Sequence, residues 1–526
     1  MAVTLTGTTG NDTLFGSTAQ AAYVQAKEGN DRLVSQYTNT TLLGNAGNDS
    51  LTIEQGDGSV VTINPGQGND TVSISGLATL GTLYVANGLG TSVNYGNDTF
   101  NFNTAGGTPT LSGTVRGGEG DDTIVMADGI DGNGFKYNAG QGTDQTNVSA
   151  NSAVTFRNSQ FRAGQGNDSS VFEFNSGLIL NGLTIAGGQG QDTINFGANS
   201  GLNASGSIQI LGGADADVIS ANLAPDTGFI SGNFQIVGGA GADTITTTVV
   251  GAATGAFDLR VYGDDASISG TGTDADTILV NYSHSGLLQD TTGLIAGGGG
   301  NDTITVSANS TAGSAGWSLD GGLGNDSITI TDGYNYAGTI NGGDGADKIT
   351  FNMGTGMTAT NGQSGNLGAT LMGGAGNDTF SNTTVDTAVN ASGWAMTGLI
   401  VAIQDFATGD LIELLGVQSV NEDANIARSA FLTRTFNTNS GAGLTGAAAT
   451  NNIAMYRDGD DVVLTIAQGT ATADNVFSEG SNIGLAVIRF VDNSAFATQV
   501  DAASGALSNV SINLTQSLTG LKISFT

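Results

Sequence analysis

Short apolar runs recur along the chain, each broken by single polar residues. Leu183-Thr184-Ile185, Ile208-Gln209-Ile210 and Phe234-Gln235-Ile236 are examples. Alternation with period two puts every second side chain on one face, so these runs predict strands. Each run is followed by a cluster of Gly, Asn and Asp, and then by a second apolar run. Leu14, Ile124, Ile194, Ile245, Ile304 and Ile328 each stand two residues after an Asp, while Thr146 and Ser170 hold that place in two units. The unit therefore reads as strand, Gly–Asp turn, strand.

The clusters align on one Asp, with 16 copies: Asp12, Asp31, Asp49, Asp70, Asp98, Asp122, Asp144, Asp168, Asp192, Asp217, Asp243, Asp276, Asp302, Asp326, Asp347 and Asp378. Gly stands two residues before the Asp in 14 of them; Asp215 and Asp274 replace it in the others, and Asp tolerates a left-handed backbone. The spacing runs from 18 to 33 residues and averages about 24. That suits one motif per solenoid coil. Coils stack at the strand spacing of about 4.8 Å, which puts the aspartates in a row. A bare row of carboxylates at that spacing repels itself. Folding then calls for a cation between the rungs, and hard oxygen ligands favour Ca²⁺. The same Gly-Asn-Asp clusters also suit plain turn chemistry with no metal.

Composition narrows the function. The chain has 526 residues, 85 Gly, no Cys, one His (His284) and a net charge of −34. Absence of Cys removes disulfides, thiolate zinc sites and cysteine nucleophiles. A single His removes the two-His metalloprotease pattern. Thirteen scattered cations do not make a nucleic-acid binder. No run is long and apolar enough for a transmembrane helix. Met1 to Gly10 has no cationic segment followed by an apolar one, so no secretory signal peptide is expected. High charge with few aromatics suits disorder; here it fits a metal-free chain better than the working state.

The block Gly297-Gly298-Gly299-Gly300-Asn301-Asp302-Thr303-Ile304, with its relatives at Gly117, Gly321 and Gly373, resembles the Gly-Gly-x-Gly-x-Asp-x-U-x nonapeptide of RTX proteins, itself a calcium-binding repeat. The resemblance covers residues 7 to about 394. This chain departs from the tightest form of that family, because its motifs are separated by whole coils. One calcium ladder is expected rather than two. The family shares each ion between an Asp carboxylate and backbone carbonyls of neighbouring rungs, which implies about 15 Ca²⁺ here. The sequons at Asn11, Asn69 and Asn301 are by-products of the repeat.

The pattern stops after Asp378. Ile400 to Phe406 and Gly409 to Leu414 are more apolar and resemble the segment that closes RTX arrays. Asn452 to Ala467 reads as a hairpin around Arg457-Asp458-Gly459-Asp460. Leu485 to Val491 reads as another strand. The expected fold is all-β: a parallel β-solenoid of about 16 coils over 1–394, then a small β-rich domain over 395–526 that caps, exports or assembles. In the family the C-terminal region directs export through a type I channel, and the segment ending Leu521 to Thr526 is the candidate signal.

No catalytic constellation is evident, so no enzyme is expected. His284 lacks a partner motif, and Trp317 and Trp394 suit packing. The leading expectation is a secreted calcium-binding structural protein that assembles with itself at the cell surface, most like RTX-type S-layer proteins. A cell-surface polysaccharide is a further candidate partner. The rival readings are a calcium-dependent adhesin or ice-binding solenoid, and a polysaccharide-active β-helix. Ice binding would need constant coil length. The enzyme would need Arg116, Lys136, Arg157 and Arg162 gathered in one groove.

Overall fold

Alternating runs on both sides of each Gly–Asp corner form strands. Leu178–Gln189 leads into one corner and Thr193–Ala204 leaves it; Ser207–Ala214 and Val218–Pro225 repeat the arrangement one coil later. In these coils leading strands pair parallel with leading strands and trailing with trailing, and the end of Thr193–Ala204 runs on to pair with the start of Leu178–Gln189. Ile185 is in register with Ile210, and Ile210 with Ile236. Across the corner Ile194 is in register with Ile219, and Ile219 with Ile245. The result is an all-β parallel solenoid, with no helix among the described residues.

The computed structural model describes residues 3–16, 22–36, 39–54, 56–57, 60–75, 77–79, 82–86, 96–103, 110–127, 130–152, 154–225, 233–251, 258–264, 272–284, 292–310, 316–331, 338–351, 370–382, 400–407, 409–415, 432–437, 450–458, 461–468, 483–490, 512–517 and 520–525. The chain forms two compact units, Met1–Ala266 with His284–Gln289, and Ser267–Ser283 with Asp290–Thr526.

In the first unit the inward positions are filled by rings at mid-length. Phe161 and Phe172 have centroids 5.0 Å apart, and Phe156, Phe174, Phe196 and Phe234 extend the stack at 5.8 to 6.0 Å. All six are essentially buried. Offset and edge-on ring pairs of this kind add to the burial of their area. The two polar departures from the pattern, Thr146 and Ser170, are buried in this same stretch. In the second unit Trp317 is buried, its ring 5.3 Å from that of Tyr282 and packed over Gly293. Trp317 thus packs, as its sequence context suggests. His284 ends the strand Thr277–His284, and Trp394 lies outside the described residues.

Coil length varies, yet the pairing beside each Asp does not slip. Thr99 to Phe102 pairs residue for residue with Thr71 to Ile74 and with Thr123 to Met126, although the Asp spacing here changes from 28 to 24 residues. Extra residues fall on either side of the leading strand: Ala86, in register with Arg116, stands 12 residues before its Asp where Arg116 stands 6, while Thr370, in register with Thr339, stands 23 residues after the preceding Asp where Thr339 stands 13. Unequal spacing therefore does not disturb the face beside the corner.

Pairing changes late in the second unit. Leu411–Leu415 pairs antiparallel with Gly520–Phe525, which also pairs with Ile512–Ser517. Ile400–Ile403 pairs parallel with Ile483–Phe490, and that strand pairs antiparallel with Asp461–Gln468. Asn452 is in register with Ala467 and Asp458 with Asp461, so the hairpin forms where the Asp-Gly signal puts it.

The ring stack yields a test. Phe172→Ala removes a fully buried ring, so it should destabilise the first unit by about 3–5 kcal/mol. Thr184→Ala, at an outward position, should stay within about 0.5 kcal/mol. Urea denaturation followed by circular dichroism separates them, and equal midpoints would contradict this assignment of the core.

Candidate metal centre

The motif aspartates meet in a buried row within each unit. The backbone N–H of Asp122 donates to Oδ1 of Asp144 at 2.6 Å, Asp144 N–H to Asp168 Oδ1 at 2.7 Å, and Asp168 N–H to Asp192 Oδ1 at 2.8 Å. The same bond links every step from Asp12 through Asp31, Asp49, Asp70 and Asp98 to Asp122, and from Asp192 through Asp217 to Asp243. In the second unit it runs from Asp276 through Asp302, Asp326, Asp347 and Asp378 to Asp410. Each carboxylate thus closes an otherwise open backbone donor in the turn of the preceding coil. All sixteen expected aspartates take this position. Asp12 is half-buried and the rest are at most 3% exposed.

The second oxygen is the unusual one. Oδ2 of Asp31, Asp49, Asp70, Asp122, Asp144, Asp168, Asp192, Asp217, Asp326, Asp347 and Asp378 is buried and receives no hydrogen bond. An unpaired buried polar atom is costly, and an unpaired charge more so. At the ends the pattern changes. Asp12 Oδ2 accepts the Thr8 N–H and, at 2.9 Å, the Thr8 hydroxyl. Asp410 Oδ2 accepts the Ala407 N–H at 2.7 Å.

Where glycine holds the first turn position, Oδ2 faces a carbonyl oxygen of the next coil across a space that the missing side chain leaves open at several corners. A Cβ added to Gly342 would lie 2.5 Å from Asp347 Oδ2 and 2.5 Å from the Gly373 carbonyl oxygen of the next coil. Gly187, Gly212 and Gly321 show the same convergence, with Asp192, Asp217 and Asp326. The next glycine is held by its conformation: Gly188 has φ 123°, and a Cβ there would strike the Gly164 carbonyl. The space is not uniform, because Ala26, Pro65, Ala139 and Ala163 stand at the first position in their coils. Of the two residues that replace the third turn glycine, two before the Asp, Asp215 takes the left-handed conformation (φ 74°), and Asp274 is not among the residues that do.

Two hard oxygens, one charged, converge on each open space with no nitrogen or sulfur donor. That donor chemistry suits Ca²⁺ and excludes softer preferences. The fit is to single carboxylates combined with backbone carbonyls. Among the described residues no three His, Cys, Asp or Glu side chains converge on one point.

A second row escaped the sequence reading. The N–H of Asn30, Asn48, Asn69 and Asn97 donates back to Oδ1 of Asn11, Asn30, Asn48 and Asn69 at 2.8 to 2.9 Å. Asn325 N–H does the same to Asn301 at 2.7 Å. This exposed row runs opposite to the Asp row and occupies the amides of the three sequons. Its signal was the Asn of Gly-Asn-Asp. Asp410 was also missed as a row member, because only one Gly precedes it directly, in a segment that looks like a terminator.

Comparison with known proteins adds nothing to this geometry: no protein-family model matches the chain, and no curated protein does.

Burial raises the carboxyl pKa at inner members of the row. Asp70 and Asp122 are pushed up to about 8, and Asp144, Asp192, Asp217 and Asp326 to about 7. Desolvation is the largest cause; neighbouring carboxylates add to it, and the hydrogen bond from the preceding coil opposes it. A pKa raised on folding means the folded form binds more protons, so stability is greatest below the unfolded value near 4 and is lost as pH climbs toward 8. In buffer free of divalent cations, the urea midpoint should therefore fall steadily between pH 5 and pH 8. A midpoint that rises over that window would show that the carboxylates are not buried as described.

Proposed function

We propose that this chain is a secreted calcium-binding structural protein that folds and assembles with itself at a cell surface. The observation that carries the reading is the row of buried carboxylates whose Oδ2 atoms face a carbonyl oxygen and no donor. Asp Oδ2 of one coil and the carbonyl at the first turn position of the next would hold each ion. About 15 such places arise if every expected coil takes part. Bound Ca²⁺ would supply the positive charge, and these carboxylate and carbonyl oxygens would coordinate it. The residues do the rest: the glycines keep the space open, Oδ1 fixes each carboxylate, and the ring stack keeps water out.

The likeness of the turns to RTX repeats supports the same cation and an export route that delivers the chain unfolded. Calcium outside the cell would then trigger folding, with residues 395–526 closing or exporting the array. Self-assembly is supported by an open strand edge. Val3–Thr6 pairs with Ala22–Gln25 on one side, and among the described residues no strand covers the other. Phe15 beside it is 61% exposed. Such edges template association. Ice binding is less well supported. The outward column Thr71, Thr99, Thr123 is in register, but Arg32, Gln145 and Val218 interrupt its continuation. No catalytic role is assigned.

The test is a calcium titration followed by circular dichroism and static light scattering. Millimolar Ca²⁺ should raise β content and convert monomers to large species, and chelation should reverse both. Asp192→Asn with Asp217→Asn should stabilise the chain without divalent cations, since it removes buried charge, yet raise the calcium needed for folding. A chain that stays monomeric in calcium, or assembles equally in chelator, would refute the proposal.

A further inference from the structure

The outer positions of three neighbouring leading strands gather half of the eight cations in residues 1–394. The strands are Thr110–Glu119, Asp131–Gln141 and Val154–Gln165. Arg116 is in register with Asn138, and Asn138 with Arg162. Arg162 therefore lies two strands from Arg116, about 9.6 Å along the stack. Lys136 sits on the middle strand, in register with Thr114 and Gln160, two residues before Asn138. Arg157 lies on the third strand beyond Asn158, whose φ is 48°. All four cations are exposed. The ion pairs found among the described residues, Arg260 with Asp258 and Lys348 with Glu413, use none of them. Glu119, on the first strand, lies beyond the left-handed Gly118.

We propose that this face binds an acidic polysaccharide, a uronate polymer laid across the three strands. The chain as a whole is strongly acidic, so four clustered cations with no ion pair among the described residues stand out. Fixed charges beyond about 8 Å are largely screened at physiological salt, so the local cluster dominates what docks there. Arginine forks fit carboxylates two bonds at a time. Between them stand Thr114, Asn138 and Gln160, whose hydroxyl and amide groups suit sugar hydroxyls. A protein partner would want an apolar or aromatic centre. Single-stranded nucleic acid would want exposed rings. The large apolar residues of these strands, Val115, Phe135, Tyr137, Phe156 and Phe161, are all buried inside. The inference goes beyond the assembly reading and needs only the folded first unit.

The test uses the purified full chain at fixed millimolar calcium and isothermal titration calorimetry with a galacturonate hexasaccharide. Binding is expected, weakening as salt rises, with none for a neutral glucan of the same length. Arg116→Gln with Arg162→Gln should weaken binding at least about tenfold. Arg116→Lys with Arg162→Lys, which keeps charge and loses the fork, should fall between. Lys27→Gln, away from the face, should change nothing. Circular dichroism confirms that each variant is folded. No binding by the folded wild type, equal binding by the Gln pair, equal binding of the glucan, or equally tight binding of duplex DNA would each overturn the proposal. So would a Gln pair that alters sedimentation and leaves uronate binding intact, since the occupant would then be a second copy. Uronate binding without calcium-driven assembly would sink the assembly reading and leave this one standing.

Discussion

The hydrogen bond from each turn N–H to the Asp Oδ1 of the next coil is the constraint on which the rest depends. It uses a charged acceptor, and such bonds are stronger than neutral ones. It also fixes where the other carboxylate oxygen goes, which is inward. A residue that could have turned to water is held in a dry row, next to others of its own sign. The raised pKa values, the open spaces beside the glycines and the need for a counter-charge all follow from that geometry.

The Asn row completes the account of the turn. Asn48 N–H points back to Asn30 Oδ1, while Asp49 N–H points forward to Asp70 Oδ1. Two consecutive donors are thus met by side chains from opposite neighbours. A corner with Asn at this place is tied to the coils on both sides. This is why the trailing-strand register beside the Asp survives changes in coil length: the corner is specified locally, and the rest of the coil adjusts.

Much of this was legible because it is periodic. A two-residue alternation broken at a fixed Asp gives strand, corner and strand, and the chain obeys it from Asp12 onward. The hairpin from Asn452 to Ala467 was legible from one Asp-Gly pair. What was not legible depends on the third dimension. Polarity of a hydrogen-bond row cannot be read from Asn alone, since Oδ1 serves either neighbour. Asp410 joins the row from a segment whose glycine pattern differs. Arg116 and Arg162 stand 46 residues apart, and only the register through Asn138 places them on one face.

One position shows what the interior carboxylates lack within the chain. In the first coil Thr8 follows Gly7, and its N–H and hydroxyl both reach Asp12 Oδ2. Gly188 holds the corresponding place beside Asp192, with φ 123°, and a Cβ there would run into the Gly164 carbonyl of the coil beneath. Gly322, beside Asp326, meets Gly298 in the same way. Among the described residues no coil lies beneath Thr8. At these glycine corners stacking leaves no room for a side chain at that place; where Asn45 holds it beside Asp49, the residue sits at φ 76° and its amide donates to the Ala26 carbonyl instead. A hydroxyl cap works where stacking begins and is sterically excluded at these inner corners. A small cation asks for no Cβ, no backbone change and no wider coil. A cation of the kind proposed would answer the constraint that stacking imposes.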